Sequence, residues 1–355
     1  MTTSAIGSGA PVSAPVLSFA ERAQRFAFTA LGRMPEGLLG RLAKVPVNNE
    51  GDRMAPEIAA LMRITEMADD YSDGTAVNAR ILEEAQARIF AEDFPPFAIA
   101  EELSLPSGLR ATRYRARATS RGLLVFFHGG GFVLGSRASY DSPARLLASG
   151  ADVDVLSIEY RRAPEHPFPA ATDDALTAWK FAVEHAAEWG HNPRKIIIAG
   201  DSAGANLTAV LAQQIRGQDI QPQLQVLIYP VTDLVGDHAS RAEFATNPAL
   251  TAKQIAWFTD QYLPAGADRA DPRISPVRAE HLSGLPPAVV VVAGFDALRD
   301  EGIAYAERLR ESGVPTQLLR EGGLVHGFIS LTRVSPASRA AVERVIAAIS
   351  ESVSR

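Results

Sequence analysis

Short apolar runs alternate with amphipathic stretches over about 250 residues, and this narrows the possible folds more than any other feature. Segments 123–127, 153–158, 195–199, 224–229, 288–293 and 316–319 read as strands. Segments 175–189 and 205–215 read as helices, the first entered through Thr172, Asp173 and Asp174. Two shorter strand-like runs flank the turn Pro106-Ser107-Gly108 and predict a hairpin. A last helix begins at Ser335-Pro336, an N-cap followed by proline at the first helical position. It carries Val342, Val345, Ile346, Ile349 and Val353 on one face. Such alternation predicts an α/β fold: a mostly parallel sheet with helices on both faces.

Three regions stand apart from this rhythm. Residues 1–15 are rich in Ser, Ala, Gly and Pro and read as a mobile tail. Residues 16–91 have a helical pattern, with turn signals at Pro35-Glu36-Gly37 and Ser72-Asp73-Gly74. Within 92–355, the stretch at about 234–279 is longer than a crossover needs and holds its own helix at 251–262. It reads as an insertion over the sheet.

Composition removes whole classes of function. The net charge of −6 gives no support to a nucleic-acid binder, which needs a basic face. With no cysteine there are no disulfides, thiolate metal sites or Cys nucleophile. The seven histidines include no H-E-x-x-H, so no metal or cofactor is expected. No apolar run reaches the roughly 18 residues of a spanning helix, and the N-terminus lacks the basic and apolar regions of a secretory leader. The expectation is a cytoplasmic protein without a membrane partner.

Gly200-Asp201-Ser202-Ala203-Gly204 is a G-x-S-x-G match between a strand and a helix. A nucleophile elbow needs that context: small residues permit a sharp turn that exposes the serine hydroxyl. By itself the motif could equally be a tight turn with a surface serine. His128-Gly129-Gly130-Gly131-Phe132 follows the strand 123–127. Consecutive glycines leave backbone N–H groups unobstructed, as an oxyanion hole for acyl transfer requires. A phosphate-binding loop would call for Lys-Ser or Lys-Thr after the glycines, and Phe132-Val133-Leu134 stands there instead.

A serine nucleophile needs a base and an acid, and in this type of fold the chain order is Ser, acid, His. Of His238, His281 and His326, only His326 closely follows a strand, after Leu319 and an expected turn at Gly322-Gly323. The strand at 288–293 delivers Asp296, the favoured acid; Asp300 is the alternative. Phe132, Leu134, Tyr229, Phe295 and Phe328 adjoin these motifs and are candidates for an apolar substrate pocket, or for ordinary core.

Together, His128-Gly-Gly-Gly-Phe132, Gly200-Asp-Ser-Ala-Gly204, Asp296-Ala-Leu-Arg-Asp300, His326-Gly-Phe328 and the stretch from Tyr160 to Ala170 resemble the hormone-sensitive-lipase-like (bacterial family IV) carboxylesterases of the α/β-hydrolase fold. The resemblance covers about residues 99–355. It implies a triad of Ser202, Asp296 and His326, with oxyanion donors at the backbone of Gly130, Gly131 and Ala203. His128 would hold the glycine loop, and Glu165 and His166 would be structural. A helical cap would come from the N-terminal segment and the insertion. Small-molecule esters would be the substrates, and the lack of a leader or membrane stretch points to short or medium acyl chains rather than emulsified triglyceride. The sequence leaves the oligomeric state open; a homodimer of this family would pair through the last strand and its neighbouring helices. Arg162 stands where many members carry an aliphatic residue. Two other readings use the same scaffold: a ligand-binding protein of weak activity, and an amidase or acyltransferase.

Overall fold

The computed structural model describes residues 17–65, 70–246 and 249–354. The expected tail at 1–15 lies outside them. Four helices come first: α1 (Phe19–Gly32), α2 (Glu36–Leu42), α3 (Pro56–Thr65) and α4 (Ala76–Phe90). The hairpin β1 (Ile99–Ser104) and β2 (Arg110–Arg115) follows, then β3 (Leu123–Phe127), α5 (Asp141–Ala151) and β4 (Asp154–Glu159). Next are α6 (Ala170–His185), β5 (Ile196–Asp201), α7 (Ala203–Gln214) and β6 (Leu224–Ile228). The chain continues through α8 (Ala239–Glu243), α9 (Ala252–Tyr262), β7 (Ala288–Phe295), α10 (Arg299–Glu311), β8 (Thr316–Val325) and α11 (Pro336–Ser354).

The eight strands form one sheet in the order β1-β2-β4-β3-β5-β6-β7-β8. β2 runs antiparallel to β1 and β4; the pairs from β4 through β8 are parallel. β3 (LLVFF) is buried along its whole length because helices cover both faces of the sheet. Its side chains alternate between two cores. Leu123, Val125 and Phe127 pack with residues of α6, α7 and α10. Leu124 and Phe126 pack with residues of α5 and α11, and with Met54, Ile58 and Ala59.

Several boundaries differ from the sequence expectation. α5 is absent from it, because Ser142, Pro143, Ser149 and Gly150 dilute its helical pattern. Gly150 has a packing reason: a Cβ there would meet the Ile346 side chain of α11. α6 spans 170–185 rather than 175–189, since Pro169 already starts it and residues 186–190 turn away. Pro35-Glu36-Gly37 begins α2 rather than making a turn. Gly322-Gly323 is no turn either. Both lie inside β8, which runs on to Val325 past a register shift between Ala293 and Phe295 of β7. Ser335 caps α11 as expected, its Oγ accepting from the Ser338 N–H at 3.0 Å.

Candidate active site

β3, β5, β7 and β8 are parallel, so their C-terminal ends share one edge of the sheet. The loops leaving those ends bring together residues far apart in sequence. Ser202 stands between β5 and α7 with φ 54° and ψ −117°. For a residue with a Cβ such a backbone costs about 1–3 kcal/mol. The turn is tight because α7 packs directly on β3. A Cβ at Gly204 would be driven into the Phe127 carbonyl oxygen, so only glycine permits the approach.

His326 follows β8 immediately and Asp296 follows β7. The His326 Nε2 lies 2.9 Å from the Ser202 Oγ, and its Nδ1 lies 2.8 Å from Asp296 Oδ2. Asp296 is buried, and its other oxygen accepts from the Leu298 N–H at 2.9 Å. The alternative acid, Asp300, sits in the first turn of α10, where it accepts from the Ser240 N–H and the Arg299 guanidinium. Burial disfavours a charged imidazole at His326. The negative charges of Asp296, Asp201 and Glu301 outweigh it, and the ring's pKa is raised above the ordinary value.

Gly130 and Gly131 adopt φ of +103° and +59°, backbone that a side chain would strain. Gly131 also lies under the Phe258 ring of α9, which a Cβ would strike. Ala203 is the first residue of α7, so its N–H has no partner within the helix. The glycine loop is fixed from beneath. The buried His128 ring stacks on Tyr160 at 4.2 Å, and its Nδ1 is 2.8 Å from the Gly129 carbonyl. Burial pushes its pKa down to about 4, so a neutral ring donates that bond. The Gly129 N–H donates to Asp201 at 2.8 Å, and the Tyr140 and Tyr229 hydroxyls donate to the same carboxylate at 3.2 Å each. Burial pushes Asp201 up to about 6, while the His326 charge and these donors hold it down.

Ser202 and His326 open onto a cavity of about 290 Å³ with a mostly apolar lining. Gly130, Gly131, Phe132 and Leu134 belong to its wall. Three of the aromatic candidates for that wall pack in the core, the other reading the sequence left open. Tyr229 is buried against the His326 ring, at 4.7 Å between centroids, with its hydroxyl on Asp201. Phe328 packs edge-on to Tyr229, and Phe295 packs on Phe244. Adjacency to a motif does not fix which way a side chain faces, and these three face the core.

The rest of the wall comes from segments the motif reading left without chemistry. α4 supplies Glu83, Gln86, Ala87 and Phe90, and the turn before it supplies Tyr71. The insertion supplies Ile255, Phe258, Thr259 and Tyr262 of α9. In both helices the spacing of three and four residues marks one face, a usable signal that lacked a motif to attach to. Phe132 stacks flat on Tyr262 at 3.8 Å, which ties the glycine loop to the insertion. Arg80 of α4 donates to the carbonyls of Val133 and Ala163 and pairs with Glu165 at 2.7 Å. Its guanidinium holds the Glu165 carboxyl down to about 2. His166 is exposed. Arg162, the unusual residue in its stretch, hydrogen-bonds the Gly135 carbonyl and pairs with Glu159.

Comparison with known proteins agrees with this architecture. Residues 124–330 match a family model described as α/β hydrolase fold. The chain is 43% identical over 298 residues to the carboxylic ester hydrolase LipN of Mycobacterium tuberculosis, covering 80% of this chain and 79% of that one. It is 35% identical over 292 residues to an ethyl acetate hydrolase of Pseudomonas putida, covering 78% and 92%. Among solved structures, an ester hydrolase from the metagenome of Lake Arreo superposes with a TM-score of 0.81 at 34% identity, over 85% of this chain and all of that one. With the motifs in order along the sheet edge and relatives matched over most of their own length, the chain belongs to the α/β-hydrolase family, in its hormone-sensitive-lipase-like branch.

Proposed function

We propose that this protein is a serine carboxylesterase that cleaves short- to medium-chain esters of small molecules through an acyl-enzyme. One observation carries the reading: the Ser202–His326–Asp296 chain of contacts, at 2.9 and 2.8 Å, opens onto an apolar cavity floored by Gly130 and Gly131. His326 takes the Ser202 proton at Nε2 as the Oγ attacks the ester carbonyl. Asp296 accepts from Nδ1–H, which fixes the tautomer and stabilises the imidazolium. The carbonyl oxygen becomes an oxyanion facing the N–H groups of Gly130, Gly131 and Ala203. In comparable sites each such donor is worth about 2.7–4 kcal/mol in the transition state. The imidazolium returns its proton to the departing alkoxide, and the alcohol leaves. Water then attacks the acyl-enzyme with His326 again as base, which releases the acid and restores Ser202.

The ester-hydrolase names of the relatives support this reading over a pure ligand-binding role. Among the described residues no helix is long and apolar enough to cross a membrane. A cytoplasmic setting, and a homodimer built on the edge strand β8, complete the proposal.

The test is hydrolysis of p-nitrophenyl esters from acetyl to lauroyl by wild type and Ser202→Ala. Turnover should peak at short or medium chains and vanish in the variant, and a fluorophosphonate should label the wild type alone. Folded wild-type protein that turns over none of these esters and takes no label would overturn the proposal.

A further inference from the structure

The cavity above Ser202 has one feature that an apolar acyl or alkyl chain cannot satisfy. Glu83 of α4 lines it, together with Gln86 one turn further along the same face. The Glu83 Oε2 is shielded from solvent yet has no hydrogen-bond partner. Glu83 takes part in no ion pair among the described residues. Arg162, whose positive charge acts on Glu83, is engaged by the Gly135 carbonyl and Glu159 instead. A buried acceptor without a donor is destabilising, and one on a carboxyl group in the wall of an apolar cavity calls for a partner that the protein itself does not supply.

We propose that Glu83 is a specificity-determining residue whose carboxyl group accepts a hydrogen bond from a substrate donor, so that the enzyme favours esters carrying a hydroxyl or ammonium group on the arm that reaches α4. The inference rests on the esterase reading above and adds a substrate class to it. A plain alkyl ester offers this carboxyl group no donor, whereas a hydroxyl- or ammonium-bearing ester supplies one.

The ionisation of Glu83 separates the two donors. Burial pushes its carboxyl up to about 7. The Ser139 hydroxyl, the Gly135 N–H and the Arg162 charge from neighbouring loops pull it down, and Glu84 on its own helix pushes it further up. Tyr140, on the loop opposite, feels the Glu83 charge in turn. The carboxylate therefore predominates only above about pH 7. A hydroxyl can bond to either protonation state, whereas an ammonium gains most from the carboxylate. Preference for an ammonium ester should rise between pH 6 and 8, and preference for a hydroxyl ester should change much less.

The test compares kcat/KM for matched esters on wild type, Glu83→Gln and Glu83→Met. p-Nitrophenyl hexanoate is set against the 6-hydroxyhexanoate and 6-aminohexanoate esters, which place the donor on the acyl arm. Butyl hexanoate is set against 4-hydroxybutyl hexanoate, which places it on the alcohol arm. The selectivity for donor over plain ester should fall about ten- to a hundredfold in Glu83→Met on one of the two arms. Glu83→Gln should keep the hydroxyl preference and lose the pH-dependent rise for the ammonium ester. Because His326 titrates identically for both members of a pair, the ratio removes its contribution. Turnover of the plain esters reports that each variant is folded. Equal ratios in wild type and Glu83→Met on both arms, with plain esters still cleaved, overturn the role of Glu83 and leave the esterase reading standing. Wild-type protein that cleaves neither plain nor donor-bearing esters overturns both.

Discussion

At the residue scale the site depends on where charge is buried. His326 faces the carboxylates of Asp296 and Asp201, and its pKa is raised above the ordinary histidine value. The proposed base works only when neutral, so kcat/KM should climb with pH through a midpoint above about 6.5. Asp296→Asn removes the nearer charge and should move that midpoint down while lowering kcat by about 10³–10⁴-fold. A pH–rate profile of both proteins checks the sign; a midpoint that stays put or rises in the variant would contradict it. The same raised pKa contributes to stability. The folded state holds the His326 proton more tightly than the unfolded one, so this contribution is complete below the unfolded pKa. It is lost as pH rises through the folded value. The three residues that meet here were legible in the sequence because motif, strand end and chain order agree. For Tyr229, Phe295 and Phe328 the sequence left pocket and core equally open, since the facing of a residue just past a strand depends on the loop it enters. Asp201, by contrast, occupies the variable position of the serine motif, and only burial reveals that it receives three hydrogen bonds.

At the scale of elements, α4 and α9 roof the cavity that the strand ends floor. α9 is well specified. Thr251 and Gln254 form a capping box at its start, and its existence was read close to its true limits. Its contribution to the cavity was not readable, because no local pattern says that residue 258 will lie over residue 131. The Phe258 ring fills space directly above Gly131. Phe258→Ala should lengthen the preferred acyl chain and raise turnover of the decanoyl and lauroyl esters relative to acetyl; an unchanged chain-length profile would show that the ring does not limit the pocket. Arg80 anchors α4 to the loops after β3 and β4. Its loss leaves two carbonyls without their donor. Arg80→Ala should lower stability by about 1–3 kcal/mol and raise KM more than it lowers kcat, as denaturant melts and steady-state kinetics would reveal.

At the scale of the whole molecule, the sheet was the most legible feature, since strands buried on both faces must be apolar throughout and stand out against amphipathic helices. β8 was underestimated. Its second half contains Arg320, Glu321, Gly322 and Gly323, which look like a turn but pair with β7 around a register shift. That extension carries the chain to His326. β8 also ends the sheet order, and an edge strand offers backbone groups to another chain. In the proposed homodimer, light scattering should return twice the 37.9 kDa chain mass. Gln317→Pro should shift the population to monomer, and a wild-type value of 37.9 kDa would refute the pairing.

The roof and floor of the cavity come from separate stretches of chain: Tyr71 and α4 before the sheet, α9 between β6 and β7, and the reacting groups on the strand ends. Substitutions that widen or narrow the roof therefore need not disturb the distances among Ser202, His326 and Asp296. In a lineage under changing selection, the choice of ester can drift through mutations in two helices and the turn before α4 while the reaction is inherited intact. A combinatorial library confined to positions 71, 83, 86, 255, 258 and 262 would explore that same freedom at the bench.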